Sequence, residues 1–96
     1  MTQIVYDAWK NLEKEIIDLL PKAYQTGNPT SELAQLLAAK HKACLMYTWP
    51  EYSKDAHAGL AEMYVNDTAF TNYYDRHVEG GTQFLKDAIL VFVGEV

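Results

Sequence analysis

Three histidines and a single cysteine are the side chains of this 96-residue sequence best suited to chemistry near neutral pH. His41 and Cys44 lie three positions apart, so one helix face would present both, which is a workable start to a metal site. His57, with Asp55 or Glu51, would complete such a site. Cys44 with either of these histidines is also the pairing of a nucleophile and its general base.

A structural role for these residues is favoured over either chemical role. A structural zinc site usually draws on two Cys/His pairs, and this chain has one such pair. Cys44 shares an apolar helix face with Tyr47, and such surroundings raise the pKa of a thiol and make it unreactive. The Gly80-Gly81 pair lacks the spacing of a phosphate-binding loop, and the chain is short for enclosing a haem on His57. The sequence therefore predicts no enzyme, no metal and no cofactor.

The aromatic residues carry a stronger signal. Seven tyrosines, two tryptophans and three phenylalanines are more than a helical core of this size requires. Tyrosine and tryptophan combine a large apolar face with a polar tip, which is how a groove holds a flat amphiphilic ligand. Any single ring is more typical of a core, but the cluster as a whole predicts a binding site. Its members are Tyr47, Trp49, Tyr52, Tyr64, Tyr73 and Tyr74.

Two long helices are predicted in the first half of the chain. Apolar residues spaced i, i+3, i+4 predict a first helix over about 3–25, with a bend at Pro21, and a second over about 30–47. The inward stripe of the first helix is expected to hold Ile4, Val5, Ala8, Trp9, Leu12, Ile16, Leu19, Leu20 and Ala23. That of the second is expected to hold Leu33, Leu36, Leu37, Lys40, Ala43, Cys44 and Tyr47.

Three shorter helices follow. Pro50 breaks the second helix, Ser53 begins a third that runs to near Asn66, and Asp67 caps a fourth. The fifth follows a glycine pair and ends in an apolar run. The side chains turned inward on the fourth are expected to be Phe70, Tyr73, Tyr74 and His77. No segment alternates like a strand, so the predicted fold is an all-α bundle of about five helices in one domain, 1–96.

Charge and hydropathy exclude other classes of protein. Eight basic and thirteen acidic residues give a net charge of −5, so we expect no direct contact with nucleic acid. The acidic excess lies in residues 55–96. The longest apolar run, Ala88–Val93, is far shorter than the roughly 18 residues of a membrane span. A lone cysteine and an opening segment unlike a signal peptide predict a cytoplasmic protein.

A long motif in the predicted third and fourth helices resembles a known family. Residues 57–67 read HAGLAEMYVND, and with Phe70 and Tyr73 they fit the pattern H-x-G-L-A-E-M-Y-V-x-D-x-x-F-x-x-Y of the TipAS antibiotic-recognition domain. The resemblance extends to PTSELAQ at 29–35 and to FLKDAI at 84–89. It therefore covers nearly the whole chain.

The resemblance implies a small globin-like helical domain that senses ligands in MerR-type transcription activators. Such domains bind bulky, largely apolar antibiotics such as thiopeptides, and a domain made alone can sequester the drug. The founding member captures its ligand through a cysteine just before the His-x-Gly-Leu motif. The corresponding position here, near Tyr52, carries no thiol, and Cys44 lies a helical segment earlier. The sequence thus predicts non-covalent binding.

The predicted site is an aromatic-lined groove between the second helix, the Trp49-Pro50 loop and the third helix. Met63 adapts its shape to irregular ligands. Gly59 is expected to let a helix or a ligand approach the third helix closely. The candidate ligand contacts are His41, Tyr47, Trp49, Tyr52, His57, Leu60, Met63, Tyr64, Phe70 and Tyr74.

The fifth helix supports an alternative function. Its run 88–93 is apolar on every side, so it is either enclosed by the core or covered by another chain. The second arrangement would make the protein an interaction domain that forms a homodimer through this helix.

Overall fold

The chain folds into five α-helices in a computed structural model that describes residues 1–95. They are α1 (Gln3–Tyr24), α2 (Glu32–Leu45), α3 (Lys54–Asn66), α4 (Thr68–Asp75) and α5 (Gly81–Val93), and none of residues 1–95 forms a strand. The predicted all-α bundle of about five helices is therefore confirmed, while its globin-like arrangement stays a prediction. In the same residues, no helix is long and apolar enough to cross a bilayer.

Short polar side chains begin four of the helices. The side chains that accept a hydrogen bond from a backbone N–H in the first turn of α1 to α4 are Thr2, Ser31, Ser53 and Asp67. These bonds satisfy donors that a helix end would otherwise leave unpaired. The helix α5 begins differently, because Gly80 has no side chain to offer. Asp75 at the end of α4 instead accepts from the backbone N–H and the hydroxyl of Thr82, at 2.9 and 2.7 Å.

The helix α5 lies at the centre of the bundle. It packs most extensively against α3 and α2, and it also contacts α1 and α4. Leu85, Ala88 and Ile89 expose no surface, and Val93 is buried. A helix that is apolar on every side is expected in such a central position. The other helices therefore cover much of the apolar run 88–93. Of the two arrangements that the sequence allowed, the structure shows enclosure of this run by the core of its own bundle.

The buried face of α2 differs from the predicted one. The residues that are buried are Ala34, Leu37, Ala38 and His41. Of the predicted face only Leu37 is among them, while Leu33 and Leu36 are 39% and 46% exposed. Apolar residues occupy most of the circumference of α2, so periodicity alone could not decide which of two neighbouring stripes is buried. The stripe with two alanines is buried, and small side chains allow the neighbouring helices to lie close.

The predicted inward faces of α4 and of the start of α1 are also wrong in part. Of the four side chains assigned inward on the fourth helix, only Tyr74 is buried, while Phe70, Tyr73 and His77 are exposed. On α1 the buried residues begin at Ile16, and Ile4 is 83% exposed. The same reason explains the exposed apolar residues of α1 and of α4. Each helix packs against its neighbours along only part of its apolar surface, and the remaining part faces open space.

Candidate functional site

A cleft of about 560 Å³ lies between α1 and α4, and we call it the α1–α4 cleft. It exists because α1 packs mainly on α2, whereas α4 packs on α3 and α5, so the two helices stand apart. One wall is formed by the α1 residues Trp9, Lys10, Glu13, Ile16 and Ile17. The other is formed by the α4 residues Ala69, Phe70, Tyr73 and Tyr74. The floor includes His41, Cys44 and Tyr64, and Leu45 and Thr48 complete the lining.

The α4 wall and the floor beside it form an aromatic cluster. Tyr64 lies with its ring centre 4.9 Å from that of Phe70 and 5.2 Å from that of Tyr74. Tyr73 packs edge-on against Tyr74 at 5.0 Å. These distances lie in the range that aromatic pairs favour, and the Tyr73–Tyr74 pair has the favoured edge-to-face geometry. The cleft therefore offers an aromatic surface facing Trp9 on the opposite wall.

Four side chains below the cleft form a hydrogen-bonded series that we call the tyrosine–histidine network. The hydroxyl of Tyr52 lies 2.7 Å from Nδ1 of His57. Nε2 of His57 lies 2.9 Å from Nδ1 of His41, and Nε2 of His41 lies 3.1 Å from the hydroxyl of Tyr64. The network thus joins the loop before α3 to the floor of the cleft.

Both histidines of this network are neutral at physiological pH. Burial lowers the pKa of His41 to about 3, and the neighbouring His57 adds to the effect. Burial also lowers the pKa of His57 to about 4, assisted by the charge of Lys42. A neutral imidazole has one N–H and one acceptor nitrogen. Each ring must therefore donate through one nitrogen and accept through the other. All four ring nitrogens are paired only when both rings donate toward the same end of the network, either toward Tyr52 or toward Tyr64.

The geometry favours a structural role for the histidine and cysteine pair singled out in the sequence. Both ring nitrogens of His41 are occupied by His57 and Tyr64, which leaves no free lone pair for a metal. Residues 1–95 contain no group of three or more His, Cys, Asp or Glu placed to hold a metal ion. Burial raises the pKa of the Cys44 thiol, so it is protonated at neutral pH.

Four of the ten predicted ligand contacts meet at the α1–α4 cleft, and they are His41, Tyr64, Phe70 and Tyr74. The space between α2 and α3, where the groove was predicted, holds the rings of His41 and His57 stacked 5.0 Å apart. Six predicted contacts lie outside the cleft lining, and they are Tyr47, Trp49, Tyr52, His57, Leu60 and Met63. Tyr52 and His57 reach the floor indirectly, through the tyrosine–histidine network. Tyr47 and Met63 are exposed, Leu60 packs against the core, and Trp49 stacks on Tyr52.

Sequence reasoning missed the whole α1 wall. The apolar stripe of α1 was assigned to the core along its full length, yet burial begins only at Ile16. Carboxylates flank the stripe on both sides of Ile16, so the periodic pattern carried no signal of where burial begins, and Glu13 lies on the cleft wall. Its carboxylate pairs with Lys10 at 2.9 Å on the same wall.

The close approach expected at Gly59 does not occur. A Cβ added there would meet nothing within 4 Å, and the residue is exposed. The glycine that permits close packing is Gly81, where an added Cβ would lie 2.9 Å from Cγ1 of Val78 and 3.1 Å from Cδ2 of Leu20. Gly81 therefore lets the start of α5 lie against α1.

Comparison with known proteins assigns the chain to a family. Neither a curated protein nor a solved structure matches it. A family model described as the TipAS antibiotic-recognition domain matches residues 1–92, a span that includes both walls and the floor of the cleft. The chain therefore belongs to the TipAS antibiotic-recognition domain family.

Proposed function

We propose that residues 1–96 form a single ligand-binding domain that takes up a bulky, hydrophobic, antibiotic-like molecule in the α1–α4 cleft. The observation that carries this proposal is the cleft itself. Its volume of about 560 Å³ falls within the roughly 300–1,000 Å³ typical of small-molecule sites. Its lining is mainly aromatic and aliphatic, and burial of apolar ligand surface against such walls drives binding.

A few polar groups in the cleft would orient the ligand. The hydroxyl of Tyr64 is supported from behind by His41, so its position is fixed before a ligand arrives. Because His41 is neutral, the floor carries no positive charge that would oppose entry of an apolar molecule. Glu13 places one carboxylate at the α1 wall, where it is held by Lys10.

We propose that binding is non-covalent. Cys44 lines the cleft, but burial raises the pKa of its thiol, and the thiolate is the nucleophilic form. The position before the His57-Ala58-Gly59-Leu60 segment that would carry a capturing cysteine has none.

Family membership supports a role in antibiotic recognition, and we propose that the domain acts in the cytoplasm. We propose that the domain senses its ligand as part of a MerR-type transcriptional regulator, or binds it as a separate sequestering protein. The net charge of −5 suits a domain that leaves contact with DNA to another module. The alternative of a homodimer through α5 has less support, because α1, α2, α3 and α4 all pack on that helix.

The test is to fill the cleft with a side chain and measure binding. Ala69 and Ala56 are both exposed alanines in the first turn of a helix, and only Ala69 lines the cleft. The probes are a thiopeptide, other apolar antibiotics and the neutral dye N-phenyl-1-naphthylamine. A Trp49→Phe background leaves Trp9 as the fluorescent reporter on the cleft wall. The two tryptophan-substituted variants carry a second tryptophan, so their binding is followed by the emission of the dye and by the unfolding temperature instead.

We expect saturable quenching of Trp9 and a higher unfolding temperature with at least one of these probes. A hundredfold excess of ligand over its dissociation constant stabilises the folded state by about 2.7 kcal/mol. Ala69→Trp should abolish binding, and Ala56→Trp should leave it unchanged. Absence of saturable binding by every probe, or equal effects of the two substitutions, would refute the proposal.

A further inference from the structure

The α1–α4 cleft adjoins a second, shallower depression of about 260 Å³, which we call the basic groove. The two share Lys10, Glu13, Ile17 and Tyr73 in their linings. Lys14, Arg76 and His77 line only the groove. A molecule lying in the cleft therefore has this groove directly beside it.

The charge of the groove is opposite to that of the protein. Its lining holds Lys10, Lys14 and Arg76 against the single carboxylate of Glu13, whereas the whole chain has a net charge of −5. Lys10 is paired with Glu13 at 2.9 Å. Lys14 is paired with Asp18, which lies outside the groove, at 2.6 Å. Both lysines of the groove are therefore paired with a carboxylate, and Arg76 is the positive charge of the groove that takes part in neither pair.

Arg76 is held in place without an acidic partner. Its Cζ atom lies 4.8 Å from the ring centre of Tyr73, and its Nε donates to Nε2 of His77 at 3.5 Å. In the part of the chain that the structure describes, four ion pairs involve lysines and none involves Arg76. A guanidinium has five N–H groups in a planar fork, so the two terminal nitrogens are available to an anion.

Resting on the proposed function of the cleft, we propose that its ligand is an amphiphile with one compact anionic group, a carboxylate or a sulfonate, bound by Arg76. The apolar body occupies the cleft, and the anionic group lies in the basic groove. Because Tyr73 lines both cavities, the anionic group is attached close to the body. An anion is favoured over a cation because the acid of the groove, Glu13, already has a basic partner, whereas Arg76 has no acidic partner among residues 1–95.

Two dyes with the same aromatic body test this inference. 8-Anilinonaphthalene-1-sulfonate carries a sulfonate, and N-phenyl-1-naphthylamine does not. Both would be titrated against the whole protein and its variants Arg76→Gln, Arg76→Lys and Lys54→Gln. Lys54→Gln removes the same charge from an exposed residue that lines neither cavity, so it measures the effect of net charge alone.

Arg76→Gln should weaken binding of the sulfonate dye by about tenfold, since a charge-assisted hydrogen bond is lost. It should leave the affinity for the neutral dye within about twofold, because no contact to the apolar body changes. The affinity of Arg76→Lys for the sulfonate dye should fall between those of Arg76→Gln and the unsubstituted protein. The affinity of Lys54→Gln should equal that of the unsubstituted protein. Added salt should weaken binding of the sulfonate dye only.

Other outcomes would overturn the inference, and they separate it from the proposed function. Loss of neutral-dye binding in Ala69→Trp shows that this dye binds in the cleft. If that loss is seen but Arg76→Gln leaves the affinity for the sulfonate dye unchanged, only the anion contact is refuted. The same holds if Lys54→Gln and Arg76→Gln have equal effects. If neither dye binds, or if Ala69→Trp changes neither affinity, the anion contact is refuted. The cleft function is refuted with it when the antibiotic probes also fail to bind or are equally unaffected by Ala69→Trp.

Discussion

Nδ1 of His41 and Nε2 of His57 lie 2.9 Å apart in a buried pair whose rings are inclined by only 6°. Such a contact joins α2 to α3 through two groups that must both remain neutral. It also connects the loop residue Tyr52 to Tyr64 in the cleft, since these hydroxyls pair with the outer nitrogens. Two of these four side chains, His41 and Tyr64, also line the α1–α4 cleft.

The neutral pair predicts a loss of stability in mild acid. The folded-state pKa values of about 3 for His41 and about 4 for His57 lie below the ordinary histidine value of about 6.5, so the unfolded chain binds more protons between these limits. Stability should be full above about pH 6.5 and fall as the pH decreases toward 4, by up to about 1.4 kcal/mol per pH unit for each histidine. Denaturant unfolding at pH 7.5, 6.0 and 5.0 measures this slope above the range in which carboxylates titrate.

His77 provides the control for that measurement, because it is exposed and lies outside the tyrosine–histidine network. His77→Asn should leave the slope unchanged. An unfolding free energy that is the same at pH 7.5 and 5.0 would show that the pair is not held neutral in the folded protein.

Tyr64→Phe should destabilise the protein because it leaves Nε2 of His41 unpaired in a buried site. An unpaired buried polar group costs about 1–3 kcal/mol. Tyr52→Phe should cost less, since Tyr52 is only half-buried and water can replace its hydroxyl. Tyr73→Phe is the matched control, because Tyr73 is exposed and lies outside this network. Urea unfolding of the three variants gives the order, and a loss in Tyr73→Phe equal to that in Tyr64→Phe would contradict it.

Gly59→Ala and Gly81→Ala should change stability in opposite directions. At Gly59 the added methyl group meets no atom, so alanine should stabilise α3 by about 0.5–1 kcal/mol through its better helix propensity. At Gly81 the methyl group would press on Val78 and Leu20, and overpacking of this kind costs about 1–3 kcal/mol. Thermal unfolding of the two variants decides the matter, and destabilisation by Gly59→Ala would mean that α3 is closely approached there after all.

The Cys44 thiol should react slowly at neutral pH. Burial raises its pKa, so the thiolate fraction at pH 7 lies below that of free cysteine and increases only in alkaline solution. The rate of modification by a chromogenic disulfide reagent at pH 7 and pH 9, compared with free cysteine, measures this. Intact mass after incubation with a thiopeptide should show no adduct, and Cys44→Ala should still bind any ligand found, because no bond to the thiol is required. An adduct that disappears in Cys44→Ala would refute non-covalent binding.

Much of the local structure was predictable because it depends on neighbours within a few positions. Ser53 and Asp67 cap α3 and α4 as predicted, since a side chain and the N–H groups that it caps lie within three residues of each other. The composition of α5 left two arrangements open, enclosure by its own bundle or cover by another chain, and only the packing of the other four helices on it favoured the first. The inward face of α4 was not predictable, since the direction that remains open depends on where α1 lies.

The sequence by itself determined the five helices, the side chains that cap α3 and α4, and the family. Tertiary structure alone decided where the candidate site lies, because a cleft forms between helices that pack on different partners. It brought Trp9 and Glu13 opposite Tyr73, and it placed His41 against His57 sixteen residues away. Periodicity describes which faces of one helix are apolar, whereas contacts between helices depend on how all their surfaces fit together at once.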